Sequence, residues 1–597
     1  AQGEGDLRMQ NPYWIAYRNL RLNNKKRYMA SAGLSYQILD WLNVAGRVRI
    51  DNTHSEYEGK LYASSSNTLT DGSSQGHYTV NNGQYSQTYA DVLVNINKRI
   101  QDFTIVANIG ASYSGVTSKE LGYAGPIRET GIPNLFNVYD LDNAKKRATQ
   151  VGWREATESI FASAEVGWKS MLYLTVTGRN DWASQLTHSP QASFFYPSVG
   201  LSAVITEILK LPDWVDYLKV RGSFSSVGNP YPRFLTYPTY SYDANKQDWK
   251  SQTNYPIGKL YPERTDSWEV GLDATLFKDF KLSGSFYYAN TYNQTFDPRL
   301  PVSSGYDKLY VQTGYVRNYG FEAMLSYGHR WGDFSWDSSF TFSANKNEIV
   351  ELVKDYVHPE TGKTYNVDKL ELKTDEGRGF GKAKFILKEG GTLGDLYTHA
   401  DLKRDINGNV LIDDSGNVTA IDNAGDIKLG SVLPKANLAW NNSFSYKGIN
   451  AGFLLTARLG GIVYSATQAY LDLYGVSETS AAARDAGGVW INGRSRVNPQ
   501  SFYEVVASQS GLPTYYTYSA TNLRLQEAHI GYTVPRRWLG NVCDINVSLV
   551  GRNLWMIYCK APFDPEAVAT TNNYYQGIDY FMMPSTRNIG FNIKINF

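Results

Sequence analysis

Hydrophobic and polar residues alternate along most of this chain in runs joined by turns. After Leu39-Asp40-Trp41, one side of the run carries Leu42, Val44, Gly46, Val48 and Ile50, and the other carries Asn43, Ala45, Arg47, Arg49 and Asp51. A period of two is that of a β-strand with one apolar and one polar face. The pattern repeats after Gln101-Asp102, where Phe103, Ile105, Ala107, Ile109 and Ala111 alternate with Thr104, Val106, Asn108 and Gly110. It recurs at Val270, Leu272, Ala274 and Leu276, at Leu282, Gly284, Phe286 and Tyr288, and at Val547, Leu549 and Gly551. It predicts roughly eighteen strands of about ten residues, the length a tilted bilayer-crossing strand needs.

The connections fall into two kinds. Short turns lie at 39–41, 100–102, 169–170, 278–279, 330–333 and 447–448, and long polar segments at 53–86, 115–157, 228–264, 347–434 and 463–519. Their alternation predicts an all-β fold, a transmembrane antiparallel β-barrel with periplasmic turns and extracellular loops. A soluble sandwich has no reason to keep its long loops at one end. The final run, 588–597, also alternates and stops on Phe597. Pairing of this strand with the first would remove both sheet edges.

No linker or low-complexity stretch divides the 597 residues, so the whole span 1–597 reads as one barrel with loops. Mean hydropathy is −0.40, and no apolar run approaches the ~18 residues of a membrane helix. Neither fact argues against a barrel, whose strands show lipid only half their residues. The 45 Tyr and 14 Trp suit interfacial girdles and ligand-stacking loops. A formal charge of +1 implies no nucleic-acid partner. Cys543 and Cys559 flank one predicted strand and are too far apart to bond. The opening Ala1-Gln2-Gly3-Glu4-Gly5-Asp6 is polar and is no signal peptide, which implies prior processing or an N-terminal part lying elsewhere.

Several motifs go beyond architecture. They are Gly178-Arg179-Asn180-Asp181-Trp182-Ala183-Ser184, Phe195-Tyr196-Pro197-Ser198-Val199-Gly200, and Leu218-Lys219-Val220-Arg221-Gly222-Ser223-Phe224 with Val227-Gly228-Asn229. Pro262-Glu263-Arg264-Thr265-Asp266-Ser267-Trp268-Glu269-Val270-Gly271, Asn318-Tyr319-Gly320-Phe321-Glu322 and Val550-Gly551-Arg552-Asn553-Leu554 follow in order. From about Asn11 to Phe597 the chain resembles the SusC/RagA family of TonB-dependent outer-membrane transporters. Gly178 and Gly551 are expected to admit close packing toward the lumen, and Pro197 and Pro262 to sit near strand beginnings. The resemblance implies a 22-stranded barrel in the bacterial outer membrane, holding an N-terminal plug, contacted by TonB and covered by a SusD-like surface lipoprotein. It also implies a dimer of transporter–lipoprotein pairs. Neither a plug, a TonB-binding segment nor about four of the 22 strands is legible here, so these are expected in another chain or segment. The implied function is import of oligosaccharides, with oligopeptides as the alternative and a passive porin as a third reading.

Ligand contact is expected at Asn180, Asp181 and Trp182, where a strand leaves the membrane, and at the loop aromatics Trp249, Tyr255, Tyr515, Tyr516, Tyr574, Tyr575 and Tyr580. Packing among the loops is the competing role for each. Asp405, Asn407, Asn409 and Asp413 alternate around Gly408 as oxygen ligands do in calcium loops. Gly416 replaces the expected acidic twelfth position, and an Asx-rich turn is the alternative. The seven histidines lack zinc spacing, the glycine-rich segment 377–382 lacks phosphate-loop spacing and reads as a flexible loop, and no nucleophile elbow occurs. No cofactor beyond a calcium ion and no enzymatic activity is expected.

Overall fold

Each predicted hairpin takes its place in one antiparallel sheet of 17 strands, paired in chain order. The computed structural model describes residues 10–235, 241–243, 248–250, 260–296, 310–357, 362, 364–372, 381–570 and 576–596. The wall strands are β1 (Asn19–Leu39), β2 (Leu42–Tyr62), β3 (Gly76–Ile100), β4 (Phe103–Pro126), β5 (Arg147–Trp168) and β6 (Leu172–Ala183). There follow β7 (Phe194–Val204), β8 (Val215–Asn229), β9 (Glu263–Leu276), β10 (Phe280–Phe296), β11 (Val311–Trp331) and β12 (Phe334–Glu351). The last five are β13 (Ala436–Tyr446), β14 (Ile449–Leu459), β15 (Asn522–Val534), β16 (Asp544–Cys559) and β17 (Asn588–Asn596).

Tight turns of two or three residues recur at one end of the sheet, and the longest connections all lie at the other. The turn Lys447-Gly448 shows why the short ones stay short: φ is 46° at Lys447 and 90° at Gly448. Two left-handed residues in succession match the twist of flanking antiparallel strands. Two further short-side connections, after Val204 and after Val534, contain a helical turn each, and the hydrophobic pattern did not mark them.

Register carries one face around the wall. Val48 lies opposite Ala32 and Ala90, Val92 opposite Ala111, Ala111 opposite Ile160, and Leu549 opposite Phe591. The other face carries Arg47, Asp51, Asp91, Arg179, Asp181, Arg221 and Asp273. Such charges cannot meet hydrocarbon, so the apolar face meets lipid and the charged face lines the interior. Aromatic pairs gather on the lipid side near the short turns, with Trp214 on Phe277 at 5.6 Å, Phe280 on Tyr327 at 4.7 Å and Tyr327 on Trp336 at 5.2 Å. At the opposite rim Phe224 meets Trp268 at 4.7 Å and Tyr288 meets Tyr319 at 6.4 Å. These are the two interfacial girdles.

Among the described residues 17 wall strands pair, in keeping with the roughly eighteen expected. The structure corrects three expectations. Strands β1 to β5 run for 21, 21, 25, 24 and 22 residues, well past ten. Above the lipid both faces are wet, so pairing continues after the apolar alternation has stopped, and segments such as 53–62 read as loop. Strands β1 and β17 do not pair among the described residues. With 17 antiparallel strands the first and last point the same way, so antiparallel closure needs an odd number of additional strands. Finally, Gly178 and Gly551 lie on the lipid face, where the rings of Phe195 and the side chain of Leu554 cover them. Phe597 and residues 377–380 lie outside the described residues, and both cysteines are free thiols.

The facing assignment predicts a sharp asymmetry. Ile109→Arg, mid-belt on the lipid side, should destabilise the folded protein by about 2–4 kcal/mol. Ser202→Arg, on the interior side of β7, should change it by less than about 1 kcal/mol. Urea titration in lipid vesicles measures both, and equal losses would contradict the assignment.

Candidate functional site

Two surfaces are accessible to a solute entering from the loop side: the charged interior of the wall and the folded loops above it. The interior is built from cross-strand ion pairs. Arg47 Nε donates to Asp91 Oδ1 at 3.0 Å, across β2 and β3. Arg27 donates to both oxygens of Asp51, at 2.9 and 2.5 Å, and Arg49 adds a contact at 3.3 Å. Arg179 donates to Asp181 at 2.7 Å and to Ser159 at 2.7 Å, and Tyr196 donates its hydroxyl to Asp181 at 2.6 Å. Arg221 bridges Asp273 at 2.7 Å and Glu269 at 3.3 Å. An Arg-x-Asp spacing puts both charges on one face of a strand, so Arg49-Asp51 and Arg179-Asp181 were readable as interior pairs from sequence.

Above the lipid level, on interior positions of the extended strands, Trp153 of β5 carries the guanidinium of Arg233 3.7 Å from its ring centre. Arg233 also donates to Glu155, and Tyr85 of β3 meets Trp153 edge-on at 6.4 Å. Pairing of ring and cation across loop and strand makes a flat, hydrogen-bonding platform at the vestibule. Sequence gave no signal for it, because Arg233 is 78 residues from Glu155.

The described parts of the long loops 352–435, 460–521 and 560–587 fold into one assembly over β12 to β16. Phe385, Leu396, Val432, Tyr464, Tyr516 and Ile578 share its core. Polar ties fix it. Asp472 accepts from Tyr516 at 3.0 Å and from Gln468 at 3.0 Å, and also from Ser477. Asp579 accepts from Ser465 at 2.5 Å and Thr467 at 3.0 Å, joining two loops that are remote in sequence. Arg524 of β15, its side chain 6% exposed, reaches Asp564 at 2.8 Å and Glu566 at 3.2 Å. Burial drives the hydroxyls of Tyr464 and Tyr516 far above the usual phenol range, so both stay neutral donors.

The expected contact residues separate on this geometry. Asp181 points inward, whereas Asn180 and Trp182 take the outward positions of β6, because alternation gives adjacent residues opposite faces. Tyr516 is 2% exposed and serves the loop core, which removes it from the ligand-facing set. Tyr515 packs half-buried on Phe502 at 6.0 Å, and Tyr580 stacks edge-on with Phe581 at 5.2 Å. Trp249 is 64% exposed and pairs with Tyr242 at 5.3 Å on a short hairpin. Tyr255, Tyr574 and Tyr575 lie outside the described residues. In the oxygen-rich loop, Asp405 Oδ1 accepts the amides of Asn407 and Asn409 at 2.8 Å, and Oδ2 accepts the Asn409 side chain at 3.1 Å. Asp413 repeats the turn, accepting from Ser415 and Asn417 at 2.9 Å. Hydrogen bonds from the Asn409 side chain and then its amide hold the Asp405 carboxyl below the usual range. These are two successive Asx turns, with their acceptors engaged from within the loop.

Comparison with known proteins gives a consistent picture. A family profile described as TonB dependent receptor-like, beta-barrel matches residues 3–554. TonB-dependent receptor P3 of Formosa agariphila is 23% identical over 625 residues, covering 98% of this chain and 60% of that protein. SusC of Bacteroides thetaiotaomicron is 24% identical over 433 residues, covering 66% of this chain and 40% of SusC. A solved structure of the RagAB peptide transporter superposes with a TM-score of 0.74 at 17% identity, covering 99% of this chain and 64% of that chain. The chain thus spans about 60% of the length of the first of these relatives.

Replacing Arg524 with Met should strand Asp564, whose side chain is only 12% exposed, without its cation. Loss of one partner of a buried pair costs about 3–5 kcal/mol, expressed here as local opening of 560–587. Limited proteolysis should cut that loop first, with the wall intact; an unchanged digestion pattern would contradict the latch.

Proposed function

Because the chain belongs to the TonB-dependent receptor-like β-barrel family, we propose that it forms the wall and loops of an importer driven by TonB. The family is one of outer-membrane transporters and not of enzymes. The observation that carries the reading is the profile match over residues 3–554, on a wall with a lipid belt outside and ion pairs inside. The outer membrane has no nucleotide supply, so work on the solute must arrive mechanically from the inner membrane. The unpaired edges of β1 and β17 support the further proposal that additional strands and a plug complete the wall. A wall of this width would otherwise be a water-filled hole. A SusD-like surface lipoprotein is the proposed partner at the loop side, and the pair is proposed to dimerise.

Oligosaccharides are the proposed cargo. Flat, exposed rings suit pyranose faces, and Tyr242 and Trp249 present two of them on one hairpin, at 54% and 64% exposure. The Trp153–Arg233 platform and the inward carboxylate of Asp181 supply hydrogen-bonding groups below. A strain lacking the gene should lose growth on a defined glycan and keep growth on peptides as carbon source. The converse would assign oligopeptides, and unchanged growth on both would discard import. In the complemented strain, Trp249→Ala should slow glycan uptake by about tenfold if one stacking contact of ~1–1.5 kcal/mol is lost. Single-channel recording of the complete protein should be nearly silent, whereas steady conductance would mark a passive porin.

A further inference from the structure

The wall parts between β12 and β13 on its lipid side. Strand β12 pairs with β13 only as far as Ser343 opposite Asn437, then continues to Glu351 on β11 alone. Strand β13 begins at Ala436, so above this level the two hairpins separate. A cavity of about 800 Å³ occupies the gap, within the range of small-ligand sites, roughly 300–1,000 Å³. Its floor is Phe286, Phe321 and Ala344, which register places on the lipid face. Leu433, Pro434 and Ile462 form the opposite side.

Two cations stand at its rim. Lys346 lies two residues above Ala344 on the same face, with its ammonium 5.5 Å from the ring centre of Tyr319, a member of the upper girdle. Lys435 lies along Gly460, where an added Cβ would meet its Cγ at 2.9 Å. Both residues line the cavity, and among the described residues neither is held in an ion pair. Both lie about ten to twelve residues above the short turns, where an outward apolar band of ~25 Å ends and headgroups begin. Lys346 is held by the Tyr319 hydroxyl and attracted by Glu348, but no carboxylate lies within 4 Å of either ammonium among the described residues, so both have donors to offer an anion. An apolar slot opening to hydrocarbon with two lysines above it matches an acyl chain joined to a phosphorylated headgroup.

We propose that this crevice binds one phosphorylated glycolipid of the outer leaflet, its acyl chain on Phe286, Phe321 and Ala344 and its phosphate between Lys346 and Lys435. The site rests on the membrane-spanning wall and is independent of what the protein transports. Native mass spectrometry of the full transporter in mild detergent tests it, with bis-phosphorylated lipid A and the same lipid after phosphatase treatment as probes. Wild type should retain lipid A, and Lys346→Gln with Lys435→Gln should weaken that retention at least about tenfold. That variant should bind the dephosphorylated lipid as wild type does. Ala344→Trp, which fills the slot, should lose both probes. Retention of lipid A by either variant at the wild-type level would overturn the proposal. So would absence of lipid A from wild type, or preference for an uncharged diacyl lipopeptide, which would assign the crevice to a lipoprotein anchor.

Discussion

Hydrocarbon offers no hydrogen bonds, and the rest of this structure depends on that fact. A backbone that crosses it must pair every N–H and C=O with a neighbouring strand, so the chain can only travel up and down beside itself. This forces the consecutive pairing of β1 through β17, with mostly tight reversals at one end and long loops at the other. It also makes the two outer strands the most demanding part of the molecule. Nearly every residue of β1 and every one of β17 is exposed on both faces. A lipid-embedded edge in that state would leave a row of N–H and C=O groups without partners, which is the physical ground for proposing that additional strands pair with it.

Inside the wall the physics reverses. Charges that lipid would expel are kept by pairing with one another across strands, as in Arg47 with Asp91 and Arg221 with Asp273. Paired charges are individually weak where water reaches them, and their value here is positional: they fix each side chain and leave a surface of satisfied dipoles. The loop assembly is different again. It has its own dry core around Tyr464 and Phe385, and its buried carboxylates Asp472 and Asp579 are each held by two or more donors. It is a small folded body standing on the wall.

The belt was legible because lipid imposes a period of two on every strand within it. The short turns at 39–41, 100–102 and 447–448 fall where the alternation restarts, and the structure places them there. Above the lipid that period vanishes, so the upper parts of β2 to β5 read as loop. Interior pairs such as Arg179-Asp181 follow a spacing visible in one strand, whereas the Trp153–Arg233 stack and the Arg524 latch join residues that only the fold brings together. Asn180 and Trp182 were misjudged for a simple reason: neighbours along a strand never share a face. Tyr516 shows the limit of composition, since an aromatic in a long loop can serve that loop's own core.

The overshoot of β1 to β5 gives the mouth two unlike sides. About ten residues of paired strand beyond the belt, at ~3.3 Å each and tilted, raise a fence on the order of 25 Å above the lipid. Elsewhere in the wall β13, β14 and β15 are only 11, 11 and 13 residues long and carry the loop body instead. The fence is stiff because its hydrogen bonds form a continuous ladder, whereas the loop body is held by its own dry core and by polar ties between loops remote in sequence. A solute at the mouth therefore meets a regular wall on one side and a packed body of loops on the other.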